Sequence, residues 1–191
     1  MFEEINEVLN NNGVIAFATD TVWGLGCLPS SKEGVKRIYD IKHRDEKKPL
    51  ILMSSEFYNL LDYIKSPIPK TAQKLIKEYF PGALTLVLDK SANTPDYVTS
   101  SLPTVGVRVP NNKTFAQICE SISGKVLATT SANISGEPPA LTYEEAYSML
   151  KGKADLIIPC CGHKAGGISS TVAGFKGEEP IIFRQGEVVL S

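Results

Sequence analysis

Hydrophobic positions along the chain follow two periods. The runs VIAFA (14–18), LILM (50–53), LTLVL (84–88), VGVRV (105–109), VLATT (126–130), DLII (155–158) and PIIF (180–183) are short and rich in β-branched residues, which predicts strands. Between many of them apolar residues recur at helical spacing. This holds for 32–42 (Val35, Ile38, Tyr39, Ile41), 69–80 (Ala72, Leu75, Ile76, Tyr79), 112–122 and 143–151. Strands alternating with helices predict an α/β domain around one twisted sheet. The link from 84–88 to 105–109 has no helical pattern, so at least one neighbouring pair is expected to run antiparallel and the sheet to be mixed. No internal repeat or long linker divides the chain, and the Ser/Pro-rich stretch 91–103 is of loop length, so residues 1–191 read as a single domain.

Composition narrows the function classes. The 191 residues carry 20 Lys+Arg against 21 Asp+Glu, a formal charge of −1, and 42% of them are hydrophobic, which excludes disorder and argues against a general nucleic-acid coat. Only a local basic patch is left as a polyanion site. No apolar run approaches the roughly 18 residues that cross a bilayer, and the opening MFEEINEVLNNNG is acidic and amphipathic, unlike a secretory signal. A cytoplasmic location without membrane contact is therefore expected. The four cysteines (27, 119, 160, 161) lack CxxC spacing and read as reduced thiols.

Chemistry-bearing residues cluster where strands end. The first strand runs into Ala18-Thr19-Asp20-Thr21-Val22-Trp23-Gly24-Leu25-Gly26, a change from apolar residues to hydroxyls and glycines where an open α/β sheet presents its ligand crevice. The same residues also suit a polar turn bonded to local backbone. Lys42, Arg44, Lys47 and Lys48 place four fixed cations within seven positions at the end of a predicted helix. They form either a solvated helix terminus favoured by the dipole or, with Pro49 holding Lys48 extended, a phosphate site.

In Thr104-Val105-Gly106-Val107-Arg108-Val109 the two-residue period separates a valine face from a face of Thr104, Gly106 and Arg108. Arg108 then either meets solvent on a half-exposed sheet or floors an anion pocket. Ser131 and Asn133 follow another strand; they suit recognition through uncharged donors and acceptors, or an Asx or ST turn closed by Gly136. Gly166-Gly167-Ile168-Ser169-Ser170-Thr171 and Arg184 repeat the theme. There is no Walker A loop, no GxGxxG, no G-x-S-x-G and no zinc spacing; Cys160, Cys161 and His163 are too crowded for a zinc motif.

Taken in order, ATDTVWGLG, RIYDIKHRDEKKPLIL, FPGALTLVL, TVGVRVP, TSANISGEPP, SSTV and FRQG resemble the YrdC-like threonylcarbamoyl-AMP synthase family from about residue 13 to 187. The resemblance implies a YrdC-like α/β fold with a large positively lined cavity. It also implies an enzyme, a nucleotidyltransferase, that joins L-threonine, bicarbonate and ATP into threonylcarbamoyl-AMP and pyrophosphate for the t6A modification of tRNA position 37.

By the same resemblance Lys42 and Arg44 match the K-x-R pair on the ATP phosphates, the pair given the catalytic role. Lys48, Thr104, Asn133, Leu141 and Arg184 would join Arg44 around the nucleotide, and Thr21, Met53, Arg108, Ser131 and Ser170 would bind threonine. Mg²⁺ is expected with the triphosphate, with no protein ligand named. Expected partners are tRNA or double-stranded RNA and the transferase machinery that consumes the adenylate. Asp20 replaces the family's Glu, Trp23 its Tyr, Gln185 its Pro, Leu141 its Thr and Met53 its His. Two other readings stand beside this one: an RNA-binding module of the same fold, and a paralogue using another carbamoyl donor or acceptor.

Overall fold

The structure is a computed structural model describing residues 1–159 and 164–190. Its strands are β1 Ile15–Phe17, β2 Gly24–Cys27, β3 Ile51–Ser54, β4 Leu84–Asp89, β5 Thr104–Arg108, β6 Val126–Ser131, β7 Leu156–Ile157, β8 Thr171–Lys176 and β9 Glu179–Arg184. They form one nine-stranded sheet in the order β7-β1-β2-β6-β3-β5-β4-β8-β9. The sheet is mixed: β1 with β7, β3 with β5 and β4 with β8 are parallel, and the remaining neighbours are antiparallel. The runs 84–88 and 105–109, whose link has no helical pattern, are β4 and β5, one of the antiparallel pairs.

The helices are α1 Phe2–Asn10, α2 Lys32–Lys42, α3 Lys70–Tyr79, α4 Asp96–Thr99, α5 Lys113–Ser121 and α6 Tyr143–Leu150, with a 3₁₀ helix over Phe57–Tyr63. Local chemistry sets several of their ends. Ser31 caps α2 by accepting from Gly34 N at 2.9 Å, Asn112 caps α5 through Phe115 N, and Thr142 caps α6 through Glu145 N. Helix α2 stops because His43 turns left-handed, φ 49°, which sends Arg44 away from the helix axis.

Two apolar clusters lie on opposite faces of the sheet. Val14, Ala16, Leu52, Val105, Val107 and Ala128 join α2 and α6 on one face. Ile15, Phe17, Met53 and Leu127 join Ile5, Leu9, Phe115 and Ile118 of α1 and α5 on the other, with the Phe17 and Phe115 rings 5.0 Å apart. The two-residue period therefore leaves Ile51, Thr85, Arg108 and Thr129 on the α1/α5 face but beyond those helices, where they floor a cavity.

Two strands lie in segments whose residues read as turns. GLGC is strand β2 rather than a glycine loop, and β8 opens inside the Ser169-Ser170-Thr171 cluster. The opening segment, read only as amphipathic, is helix α1. The half-exposed reading of VGVRV does not hold, because β5 sits between β3 and β4 and Arg108 is only 3% exposed. Cys27 and Cys119 are free and buried, and burial pushes the Cys27 thiol up to about 12. Cys160, Cys161 and His163 lie outside the described residues. Among those described, no helix is long and apolar enough to cross a membrane.

Candidate functional site

A cavity of about 340 Å³ opens on this floor, of a size that suits a small ligand. All seven chain segments that resemble the family reach it: Thr21 from the first, Arg44 and Ile51 from the second, then Thr85, Arg108, Asn133, Ser170 and Arg184 in turn. Its charged lining residues are three arginines, with no carboxylate among them.

Arg108 is held from three sides. Its Nε donates to Gly82 O at 2.9 Å, Nη1 to Thr21 Oγ1 at 2.9 Å and Nη2 to Asp20 Oδ1 at 2.5 Å. Burial, the largest influence, pulls its pKa down and Arg184 adds to that, while Asp20 pulls it up. The loop that presents Asp20 and Thr21 is organised by Thr19, whose Oγ1 donates to Val22 O at 2.6 Å and accepts from the Thr21 and Val22 amides. From the far side Gly166 N donates to Asp20 O and Gly167 N to Thr21 O, at 3.0 and 2.8 Å.

Arg44 enters from the turn after α2. Its Nε donates to Lys48 O and its Nη2 to Pro49 O, both at 3.2 Å, so the side chain lies back along the turn with other N–H groups left over. Arg184 donates from Nε and Nη2 to Ser170 O, and from Nη2 to Ser170 Oγ at 3.2 Å. The Ser170 and Thr85 hydroxyls are 2.9 Å apart, which links β4 to the end of β9 through one side-chain network.

Lys42 does not line the cavity. It is 1% exposed, and its Nζ donates to Ser131 O at 2.5 Å, Asn133 O at 2.8 Å and Asn133 Oδ1 at 2.7 Å. The expectation of a lysine on phosphate is corrected accordingly: three acceptors engage all three ammonium N–H groups, and Lys42 acts here as a clamp behind the wall. Asn133 is equally engaged, accepting from Ser131 Oγ and donating to Ile134 O and Glu137 O, though with Ser131 it still borders the cavity.

Three further expectations move. Lys48 is exposed and not on the wall, because its carbonyl is turned inward to accept from Tyr39 OH and Arg44 Nε. Leu141 stands outside, its backbone tied to Glu145 and Ala165. Thr104 lines a second cavity of about 790 Å³, which borders the first along Pro49, Ile51 and Val172.

Met53 walls the first cavity next to Arg108, its register partner across β3 and β5. Sequence reading missed Thr85, the lone hydroxyl of its strand, and Thr129, the first of the three hydroxyls that end β6. It also missed Asp20 as the partner of Arg108, which only the fold brings together.

The family model Sua5_yciO_yrdC, described as Telomere recombination, matches residues 7–186. The chain is 36% identical over 177 residues to the Threonylcarbamoyl-AMP synthase of Pyrococcus abyssi (strain GE5 / Orsay), covering 93% of this chain and 51% of that relative. It thus spans about half of that relative's length. It is 38% identical over 141 residues to the Threonylcarbamoyl-AMP synthase of Buchnera aphidicola subsp. Acyrthosiphon pisum (strain APS), covering 73% of this chain and 80% of the relative. Among solved structures, P. abyssi Sua5 complexed with L-threonine is similar with a TM-score of 0.89 at 34% identity, over 97% of this chain and 55% of that one. E. coli YciO is similar with a TM-score of 0.85 at 27% identity, over 97% and 90% of the two chains.

Proposed function

This chain belongs to the Sua5–YciO–YrdC family, and from that premise we propose that its cavity combines L-threonine, bicarbonate and ATP into threonylcarbamoyl-AMP and pyrophosphate. The observation that carries the reading is the meeting of seven chain segments around three arginines in one cavity, where the carboxylate of Asp20 stands behind Arg108 and is not among the described lining residues. Such a site attracts two anionic substrates at once. The shared name of two relatives and the threonine-bound state of P. abyssi Sua5 support the amino-acid half of the assignment.

The chemistry suits what the residues offer. Threonine binds with its amine protonated; the ammonium gives up a proton to solvent, and the neutral amine takes up carbon from bicarbonate with loss of water, giving a carbamate. A carbamate oxygen then attacks the α-phosphorus, and pyrophosphate leaves with the broken P–O bond. The step needs alignment of two anions and stabilisation of charge developing on phosphate oxygens, and no covalent nucleophile from the protein. In this reading Arg108 and Thr21 take the threonine carboxylate and hydroxyl, Ser170 and Met53 bound its side chain, and Arg44 and Arg184 meet the phosphates. The nucleoside extends over Ile51 toward Thr104 in the adjoining cavity. Mg²⁺ enters as part of the Mg–ATP substrate, held by phosphate oxygens and water.

The adenylate passes to a transferase that modifies tRNA, and the reaction is placed in the cytoplasm. The test is direct: incubate the protein with ATP, Mg²⁺ and bicarbonate, with and without each common amino acid, and measure pyrophosphate and the mass of any adenylate. Threonine-dependent release of both is expected. Pyrophosphate release that ignores amino acids, or none at all, overturns the reading, and preference for another amino acid assigns the paralogue that Met53 allows.

A further inference from the structure

A guanidinium has five N–H donors, and three of those of Arg108 are engaged by Gly82 O, Thr21 Oγ1 and Asp20 Oδ1. One N–H on each terminal nitrogen is left, the pair that a carboxylate takes end-on. The charge is already balanced, however. Asp20 pairs with Arg108 at 2.5 Å, and the next charges acting on Arg108, those of Arg184 and Glu187, are of opposite sign. Asp20 is not among the residues that line the cavity, but its Oδ1 is bonded to the same Nη2 that keeps a free N–H, so a carboxylate taken end-on by Arg108 lies beside it.

A carboxylate docking on Arg108 alone would therefore place a second negative charge next to Asp20 in a poorly solvated site. Like charges brought together under those conditions are strongly disfavoured. An α-amino acid carries its own remedy, since its ammonium nitrogen is two bonds from the carboxylate carbon. Asp20 is also not free to swing away, because the Gly166 and Gly167 amides and the Thr19 hydroxyl hold the backbone that carries it.

Resting on the reading that Arg108 takes the substrate carboxylate, we propose that Asp20 is a specificity and positioning residue. It holds the Arg108 fork and makes the subsite select zwitterionic α-amino acids over carboxylic acids that lack an α-ammonium. Rejection of the wrong ligand comes from the repulsive partner, and attraction of the right one from the same carboxylate.

The experiment compares L-threonine with its α-hydroxy analogue, 2,3-dihydroxybutanoic acid, by calorimetry at one pH. It uses the wild type, Asp20→Asn and Asp20→Glu, with ATP affinity measured on each to show an intact fold. The wild type is expected to prefer threonine by about 30-fold or more. Asp20→Asn should shrink that preference to within about threefold, through weaker threonine and stronger hydroxy-acid binding, and Asp20→Glu should restore most of it. A wild type that binds both ligands equally, or an Asn variant that keeps the wild-type preference, overturns the proposal while leaving threonine-dependent pyrophosphate release untouched. A wild type that binds no amino acid and releases no pyrophosphate overturns the functional reading and this proposal together. If Asp20→Asn does not fold, Asp20→Ser takes its place with the same expected loss of preference and the same overturning result.

Discussion

Lys42 Nζ lies 2.7 Å from Asn133 Oδ1, and that oxygen also accepts from Ser131 Oγ at 2.7 Å. The wall of the cavity is thus anchored to the buried Lys42 amine in addition to β2, with which Ser131 pairs. Burial, with Arg44 second, pulls the Lys42 pKa from 10.5 down to about 7, although its three acceptors require the ammonium form. A Lys42 that titrates there releases its proton in the folded chain, with one of its three donated hydrogen bonds, while the unfolded chain still holds its own between about pH 7 and 10.5. The sign follows: the contribution of Lys42 makes the fold more stable as pH rises through that window. Urea unfolding from pH 7 to 9.5 should show that Lys42→Met lowers the slope of stability against pH, by up to about 1.4 kcal/mol per pH unit. Parallel slopes in the two proteins would show that Lys42 stays charged throughout.

Arg44 and Lys48 are four residues apart and separate cleanly by position. Arg44 lines the cavity and Lys48 is exposed on the same turn. Arg44→Ala should weaken ATP binding by about 1.5–3 kcal/mol, the range for losing one charge-assisted contact, whereas Lys48→Ala should change it by under about 1 kcal/mol. Calorimetric titration with Mg–ATP measures both. Equal losses would mean that the whole turn rearranges around the nucleotide.

What the sequence made legible follows from what each residue needs. The runs at 84–88, 105–109 and 126–130 became β4, β5 and β6 because β-branched apolar residues leave few alternatives in a buried sheet. Helix α2 matched 32–42 residue for residue, since Ser31 and the apolar stripe mark its start and face. Strand β2 was not legible: its glycines at 24 and 26 are there because Phe17 packs against them, a tertiary contact that propensity does not register. In the site, the arginines were legible as charges leaving apolar segments. The fate of Lys42 was not, because its acceptors are carbonyls and an amide from residues 131 and 133, some 90 positions away.

Gly186 follows Arg184 by two residues and has no room for a side chain. A Cβ there would fall 2.2 Å from Ser169 O and 2.4 Å from Ser170 C, both backbone atoms with little freedom to retreat. Gly186→Ala should cost about 3 kcal/mol or more and loosen the Arg184–Ser170 contacts, since backbone has to move rather than a flexible side-chain end. Thermal unfolding checks the first part. The second is read from threonine and ATP affinities, both of which should fall at a temperature where the variant is still folded.

Arg108→Lys tests the fork itself. Lysine keeps the charge but has one nitrogen in place of three, so it cannot hold Gly82, Thr21 and Asp20 and also offer two parallel N–H groups to a carboxylate. Threonine affinity should drop by about 2 kcal/mol or more, while ATP affinity hardly changes. Thr104→Val is the companion variant, because Thr104 lies four residues away on the same strand but lines the adjoining cavity. It should weaken ATP by about 1 kcal/mol, the value of a neutral hydrogen bond, and leave threonine alone. If the two variants divide the substrates in this way, threonine and nucleotide lie in line along β5, with the carbamate over the stretch between Gly106 and Arg108 and the α-phosphorus within its reach. An Arg108→Lys protein with normal threonine affinity would break that line, and the carboxylate would then have to be sought on Arg44 or Arg184.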